Sequence, residues 1–102
     1  MPSYELSPEA AQDWRNIVRY TLDQHGEEQV HKYMERLTKC IENLINRNPH
    51  VKTISVNEHI VSVIRCQKHY IFSLKIDNRP ELIIAFLHER MEFIMRLKSR
   101  LS

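Results

Sequence analysis

Partway along this chain the apolar residues change their period, and no other feature limits the fold as tightly. Up to residue 47 they recur at steps of three and four, and over residues 60–76 the period shortens to two. Helices therefore come first and strands later. Ser7-Pro8-Glu9 reads as a helix start: a hydroxyl to cap a free amide, a proline that needs no donor, and a carboxylate at the positive helix end. Ala11, Trp14, Ile17, Val18 and Leu22 form the stripe that follows. Gly26 breaks the pattern at a left-handed C-terminal position. Glu27 and Glu28 open a second helix with Val30, Tyr33, Met34, Leu37, Ile41, Leu44 and Ile45 along one side. Its charges follow the dipole, with Lys39 and Arg47 late, and Asn48-Pro49 stops it. So short a turn at Gly26 predicts an antiparallel helical hairpin.

Tyr4-Glu5-Leu6 is a short strand candidate, expected at a sheet edge. Residues 48–58 are polar and read as a loop. Ile60 to Cys66 is β-branched and apolar, Gln67-Lys68 is a tight turn, and His69 to Ile76 places Tyr70, Phe72, Leu74 and Ile76 on one face. Asp77-Asn78-Arg79-Pro80 is a turn. Leu82 to Leu87 is apolar without alternation, as for a strand covered on both faces. Met91 to Leu101 reads as a short helix with Met91, Ile94, Leu97 and Leu101 inward and a basic exposed side of Arg96, Lys98 and Arg100. The expected fold is α+β: an N-terminal short strand, an antiparallel helical hairpin packed on a small antiparallel sheet, and a short C-terminal helix, in a single domain over residues 1–102.

At 102 residues the chain supports one core but no deep cofactor cavity, so a function carried by a surface is expected and no cofactor is. A single glycine excludes glycine-rich phosphate loops. A net charge of +2 gives no argument for direct nucleic-acid binding. Met1-Pro2-Ser3-Tyr4 has no signal character and no apolar run approaches a membrane span, so a cytoplasmic protein with Cys40 and Cys66 reduced is expected. His25, His31, His50, His59, His69 and His88 lack ligand spacing, and no metal is expected.

Trp14 and Tyr33 lie on helix stripes and read as core before they read as stacking platforms. Cys40, beside a stripe, reads as a small buried hydrophobe. No GxSxG elbow marks a serine hydrolase. The polar cluster of most interest is Leu87-His88-Glu89-Arg90-Met91, which puts an imidazole, a carboxylate and a guanidinium where an apolar strand ends. An ordinary solvated strand exit explains it equally well.

Ser7-Pro8-Glu9-Ala10 opening a helix, Gly26-Glu27-Glu28-Gln29 between helices and Asn48-Pro49 closing the second resemble the front half of the ParE/RelE toxin superfamily. His69-Tyr70-Ile71-Phe72 after a turn and the closing Leu87-His88-Glu89-Arg90-Met91-Glu92 resemble its back half. The resemblance covers nearly the whole chain and is nearer the ParE branch. RelE relatives usually carry a terminal tyrosine, whereas the last tyrosine here is Tyr70. Gln67 and Ser73 depart from the glycine and aromatic common in the family. The resemblance implies the toxin of a type II toxin–antitoxin system, non-enzymatic, inhibiting DNA gyrase and trapping it with cleaved DNA. It implies Arg65, His88, Arg90, Met91, Arg96, Lys98 and Arg100 as target contacts. It also implies a cognate antitoxin on the hairpin around Trp14, Val18, Tyr33 and Leu37, in a hetero-oligomer. The alternative it leaves is a ribosome-dependent endoribonuclease with His88 as acid or base and Arg65 and Arg90 on phosphate.

Overall fold

The structure is a computed structural model that describes residues 4–102; the signal-segment reading at Met1-Pro2-Ser3 lies outside the described residues. The element order is β1 (Tyr4–Leu6), α1 (Pro8–His25), α2 (Glu27–Ile45), β2 (Lys52–Val56), β3 (His59–Cys66), β4 (His69–Leu74), β5 (Glu81–His88) and α3 (Phe93–Leu101). The sheet runs β1-β5-β4-β3-β2, with β1 parallel to β5 at one edge and the other pairs antiparallel. The hairpin of α1 and α2 covers one face of the sheet, and α3 covers the other. β5 is thus buried on both faces, which explains its unbroken apolar run.

The helix boundaries follow from capping. Ser7 Oγ accepts from the Ala10 amide at 3.0 Å, as expected of an N-cap. Gly26 separates the helices at φ 84°, ψ 173°, a region essentially reserved for glycine. α2 ends before Asn48-Pro49: Arg47 takes φ 57°, its amide reaches Leu44 O, and Asn48 N reaches Asn43 O. Those two bonds form a Schellman stop. It aims the Arg47 side chain back along the end of the sheet.

Several expectations are corrected. The segment read as a loop contains β2, in which Ile54 and Val56 pack toward α3 while Thr53 and Ser55 face out. Asn57-Glu58 joins β2 to β3 with both residues at positive φ, the backbone of a two-residue hairpin turn. β4 ends at Leu74, and Ile76 is exposed. In α1 the buried side is Ala10, Ile17 and Thr21, with Trp14 half-buried, whereas Leu22 is 48% exposed. α3 begins at Phe93 and packs through Phe93, Leu97 and Leu101, leaving Met91 and Ile94 exposed. Cys40 and Cys66 are not free thiols. Packing of α2 on β3 brings their Cα atoms to 6.0 Å and the sulfurs form a disulfide.

Arg100 is not on the exposed side of α3. Its guanidinium forks onto Asp13 of α1 at 2.5 and 2.9 Å, and its Nη1 also reaches Ile84 O at 3.0 Å. Asp13 Oδ2 in turn accepts from the Phe86 amide at 2.9 Å. β1 pairs with β5 only as far as Ile83, so past that point β5 has a free edge. Ile84 is also the extra residue of a bulge, since Phe72 opposes Ala85 while Ser73 opposes Ile83. The Asp13–Arg100 pair satisfies this edge as a strand would, and ties α1, β5 and α3 together.

Candidate functional site

The polar cluster singled out in the sequence forms where β3 and β5 end and β4 begins. Its shape follows from strand register. His69 of β4 lies opposite His88 of β5, and Tyr70 lies opposite both Arg65 and Leu87. Side chains alternate across a sheet, so the two imidazoles share the hairpin face while Arg65 and Tyr70 share the α3 face.

On the hairpin face, Tyr33 of α2 reaches over the strand ends. Its hydroxyl lies 2.5 Å from His69 Nδ1, and the His69 and His88 rings meet edge to face at 5.3 Å. Burial, and secondarily His88, pushes His69 down to about 4, so the imidazole is neutral and accepts the Tyr33 proton at Nδ1. Burial raises Tyr33 above its ordinary value, which keeps its hydroxyl a donor. His88 Nδ1 accepts from the Arg90 amide at 3.2 Å, and Glu89 N bonds Lys68 O at 2.8 Å, fixing the chain as it leaves β5.

On the α3 face, Arg65 bonds Glu89 Oε1 at 3.1 Å and lies 5.7 Å from the Tyr70 ring centre. Tyr70 and Phe72 pack edge to face against Phe93 at 4.7 and 5.4 Å. These aromatic contacts, and the Glu92 carboxylate accepting from the Ile94 amide, fix the start of α3. Arg90, Met91, Ile94, Met95, Arg96 and Lys98 are left exposed along one surface, with Met95 at 72%.

The strand ends hold two separate pairs, Arg65 with Glu89 and His69 with His88, which do not converge as a catalytic trio. Arg65 and His88 leave opposite faces of the sheet, and Arg65 is already paired. Of the residues expected to meet an antitoxin, Leu37 is fully buried and Tyr33 is engaged with His69. Trp14 is half-buried edge-on to Phe86 at 5.5 Å, and Val18 is partly open. Asp13, Tyr33 and His69 escaped sequence reasoning as partners. Asp13 sits among helix-surface residues, and the contacts of all three span distant parts of the chain. Among the described residues no cluster of three or more histidine, cysteine or acidic side chains is arranged for a metal, and no helix is long and apolar enough to cross a membrane.

Comparison with known proteins agrees with this architecture. Residues 4–93 match the family described as the ParE toxin of the type II toxin–antitoxin system parDE. The chain is 38% identical to Toxin ParE of Escherichia coli over 102 residues, covering all of this chain and 99% of that protein. A solved structure titled "Chromosomal ParDE TA system from P. aeruginosa" shares the fold, with a TM-score of 0.56 at 15% identity over 86% of this chain and 96% of that one. Motif order, fold and these matches agree: the chain belongs to the ParE toxin family of type II toxin–antitoxin systems.

Proposed function

We propose that this toxin acts by binding DNA gyrase and stabilising its cleaved-DNA complex, without a catalytic step of its own. The observation that carries this reading is the exposed surface of Arg90, Met91, Ile94, Met95, Arg96 and Lys98, which runs from the end of β5 along α3. Cations interleaved with exposed apolar side chains suit a protein surface, where arginine and methionine anchor contacts and lysine aids steering. His88 and Arg65 flank this surface, with Arg65 held by Glu89. Arg100 acts on it indirectly, by docking α3. The same features disfavour the ribonuclease alternative, because Arg65 and His88 do not meet around a space for a scissile phosphate.

A cognate antitoxin completes the system. Trp14, Val18 and Leu22 recur at steps of four along α1 as an incompletely covered apolar seam, suited to an amphipathic antitoxin helix. The free edge of β2 offers a place for strand addition.

Induced expression in a bacterial host tests both parts. Growth arrest with filamentation and a DNA-damage response, relieved by the antitoxin and lost in Arg90→Glu/Arg96→Glu, is the expected result. Arrest with intact DNA and mRNA cut on ribosomes would replace the gyrase reading with the ribonuclease one.

A further inference from the structure

We propose that the cleft at the opposite end of the sheet, between the end of α2 and the β4–β5 turn, binds a phosphate-bearing small ligand of nucleotide size. The cleft is an open recess of about 780 Å³, lined by Arg47, Lys75 and Arg79 against the single carboxylate of Glu81. That is a local charge of +2, equal to the net charge of the whole chain, concentrated in one recess. The volume falls within the range of roughly 300–1,000 Å³ typical of small-molecule sites.

Two of the three cations, Arg47 and Lys75, are positioned by separate devices. The Schellman stop at Arg47 aims its guanidinium at Glu81, which it grips at 3.0 and 3.2 Å. Glu81 is only 4% exposed, and Ser73 Oγ also donates to its Oε2 at 2.5 Å, so its charge is consumed inside the protein. Lys75 Nζ donates to Arg79 O at 3.1 Å, which holds the ammonium at the rim with donors to spare. Arg79 and Lys75 pair with no carboxylate among the described residues. The recess therefore presents two unspent cations and the open side of a third.

A charge of +2 on a forked guanidinium and an ammonium matches a phosphate better than a lone carboxylate. Ile45 and Pro80 form an apolar wall beside the cations, against which a ring attached to the phosphate can rest. The single glycine of the chain excludes a backbone phosphate cradle, but here the donors are side chains. This site lies at the far ends of β4 and β5 from His69 and His88, and it does not depend on how the toxin meets its target.

The test uses the folded toxin with ADP, inorganic pyrophosphate, a hexaglutamate peptide and a short single-stranded DNA. Binding is followed by calorimetry and by amide NMR shifts. The expected result is saturable binding of ADP and pyrophosphate, with shifts centred on Lys75, Asn78 and Arg79. Lys75→Ala and Arg79→Ala should each weaken binding by roughly tenfold, as for one charge-assisted contact. Both residues are exposed, so their melting temperatures should match the parent, and Lys39→Ala on α2 should bind as the parent does. Absence of shifts in the cleft at ~10 mM ADP and pyrophosphate overturns the proposal, being far above the affinity range of a specific site. Equal binding of hexaglutamate overturns the preference for phosphate. DNA binding more than ~10-fold tighter than ADP, lost in the same variants, assigns the cleft to a nucleic-acid backbone instead.

Discussion

Replacing Asp13 with alanine should destabilise the protein far more than its place on a helix exterior suggests. The carboxylate takes two bonds from Arg100 and one from the Phe86 amide, and Asp13 and Arg100 side chains are only 13% and 16% exposed. Truncation leaves a guanidinium without its counter-charge in a largely covered site, and an edge amide without an acceptor. Breaking a buried pair costs about 3–5 kcal/mol, and orphaning a backbone donor about 1–3 kcal/mol. Residual exposure lets water recover part of both, which leaves an expected loss of about 2–3 kcal/mol. For a domain of this size that lowers the melting temperature by roughly 10–20 °C. Asp13→Asn keeps an acceptor for Phe86 and should lose about half as much. Thermal melts of Asp13→Ala, Arg100→Met and the double variant isolate the pair, with an expected coupling of at least ~1 kcal/mol. Strict additivity, or an Asp13→Ala loss no larger than that of the surface variant Glu28→Ala, would refute the reasoning.

Three further perturbations follow from other parts of the molecule. The Cys40–Cys66 disulfide closes a loop of 26 residues, so Cys40→Ser or full reduction should cost about 3–4 kcal/mol, read from denaturant melts with and without reductant. The folded pKa of His69, about 4, lies below its unfolded value of 6.5, so the unfolded chain takes up the proton first. This contribution to stability is intact above pH 6.5 and fades as pH falls toward 4, and His69→Gln should flatten the stability profile across that window. Arg47→Ala leaves the buried Glu81 carboxylate with only Ser73 and, with the Arg47 side chain 44% exposed, should cost about 2 kcal/mol, while Glu81→Gln added to it should restore part of the loss in the same melts.

The elements most legible in the sequence were those with long periods and explicit punctuation. α1 and α2 repeat an apolar spacing over several turns and are bounded by Ser7, Gly26 and Asn48-Pro49, so their presence was plain. The rotation of α1 was not, because Trp14 and Leu22 mark an apolar side that the sheet only partly covers, while Ala10 and Thr21 face it. β2 was missed because Lys52–Val56 is too short to display its alternation, and Asn57-Glu58 makes its turn without glycine. The polar cluster was visible at Leu87-His88-Glu89-Arg90-Met91 because a polar group interrupts a buried strand. Its partners were hidden: Tyr33 comes from α2 and Arg65 from β3, and register alone decides which face each meets. Arg100 read as a surface cation because its acid lies 87 positions away in sequence, on the first helix. The disulfide was equally hidden, since Cys40 and Cys66 have no motif spacing and meet only through packing of α2 on β3.

Incubation of the purified toxin with DNA gyrase, ATP and supercoiled plasmid, followed by detergent and protease, tests the central functional reading most directly. Linear plasmid should accumulate with toxin, disappear when the antitoxin is added first, and fall sharply with Arg90→Glu/Arg96→Glu at unchanged melting temperature. Unchanged supercoiling and no linear product, from a toxin that is folded and binds its antitoxin, would contradict gyrase poisoning.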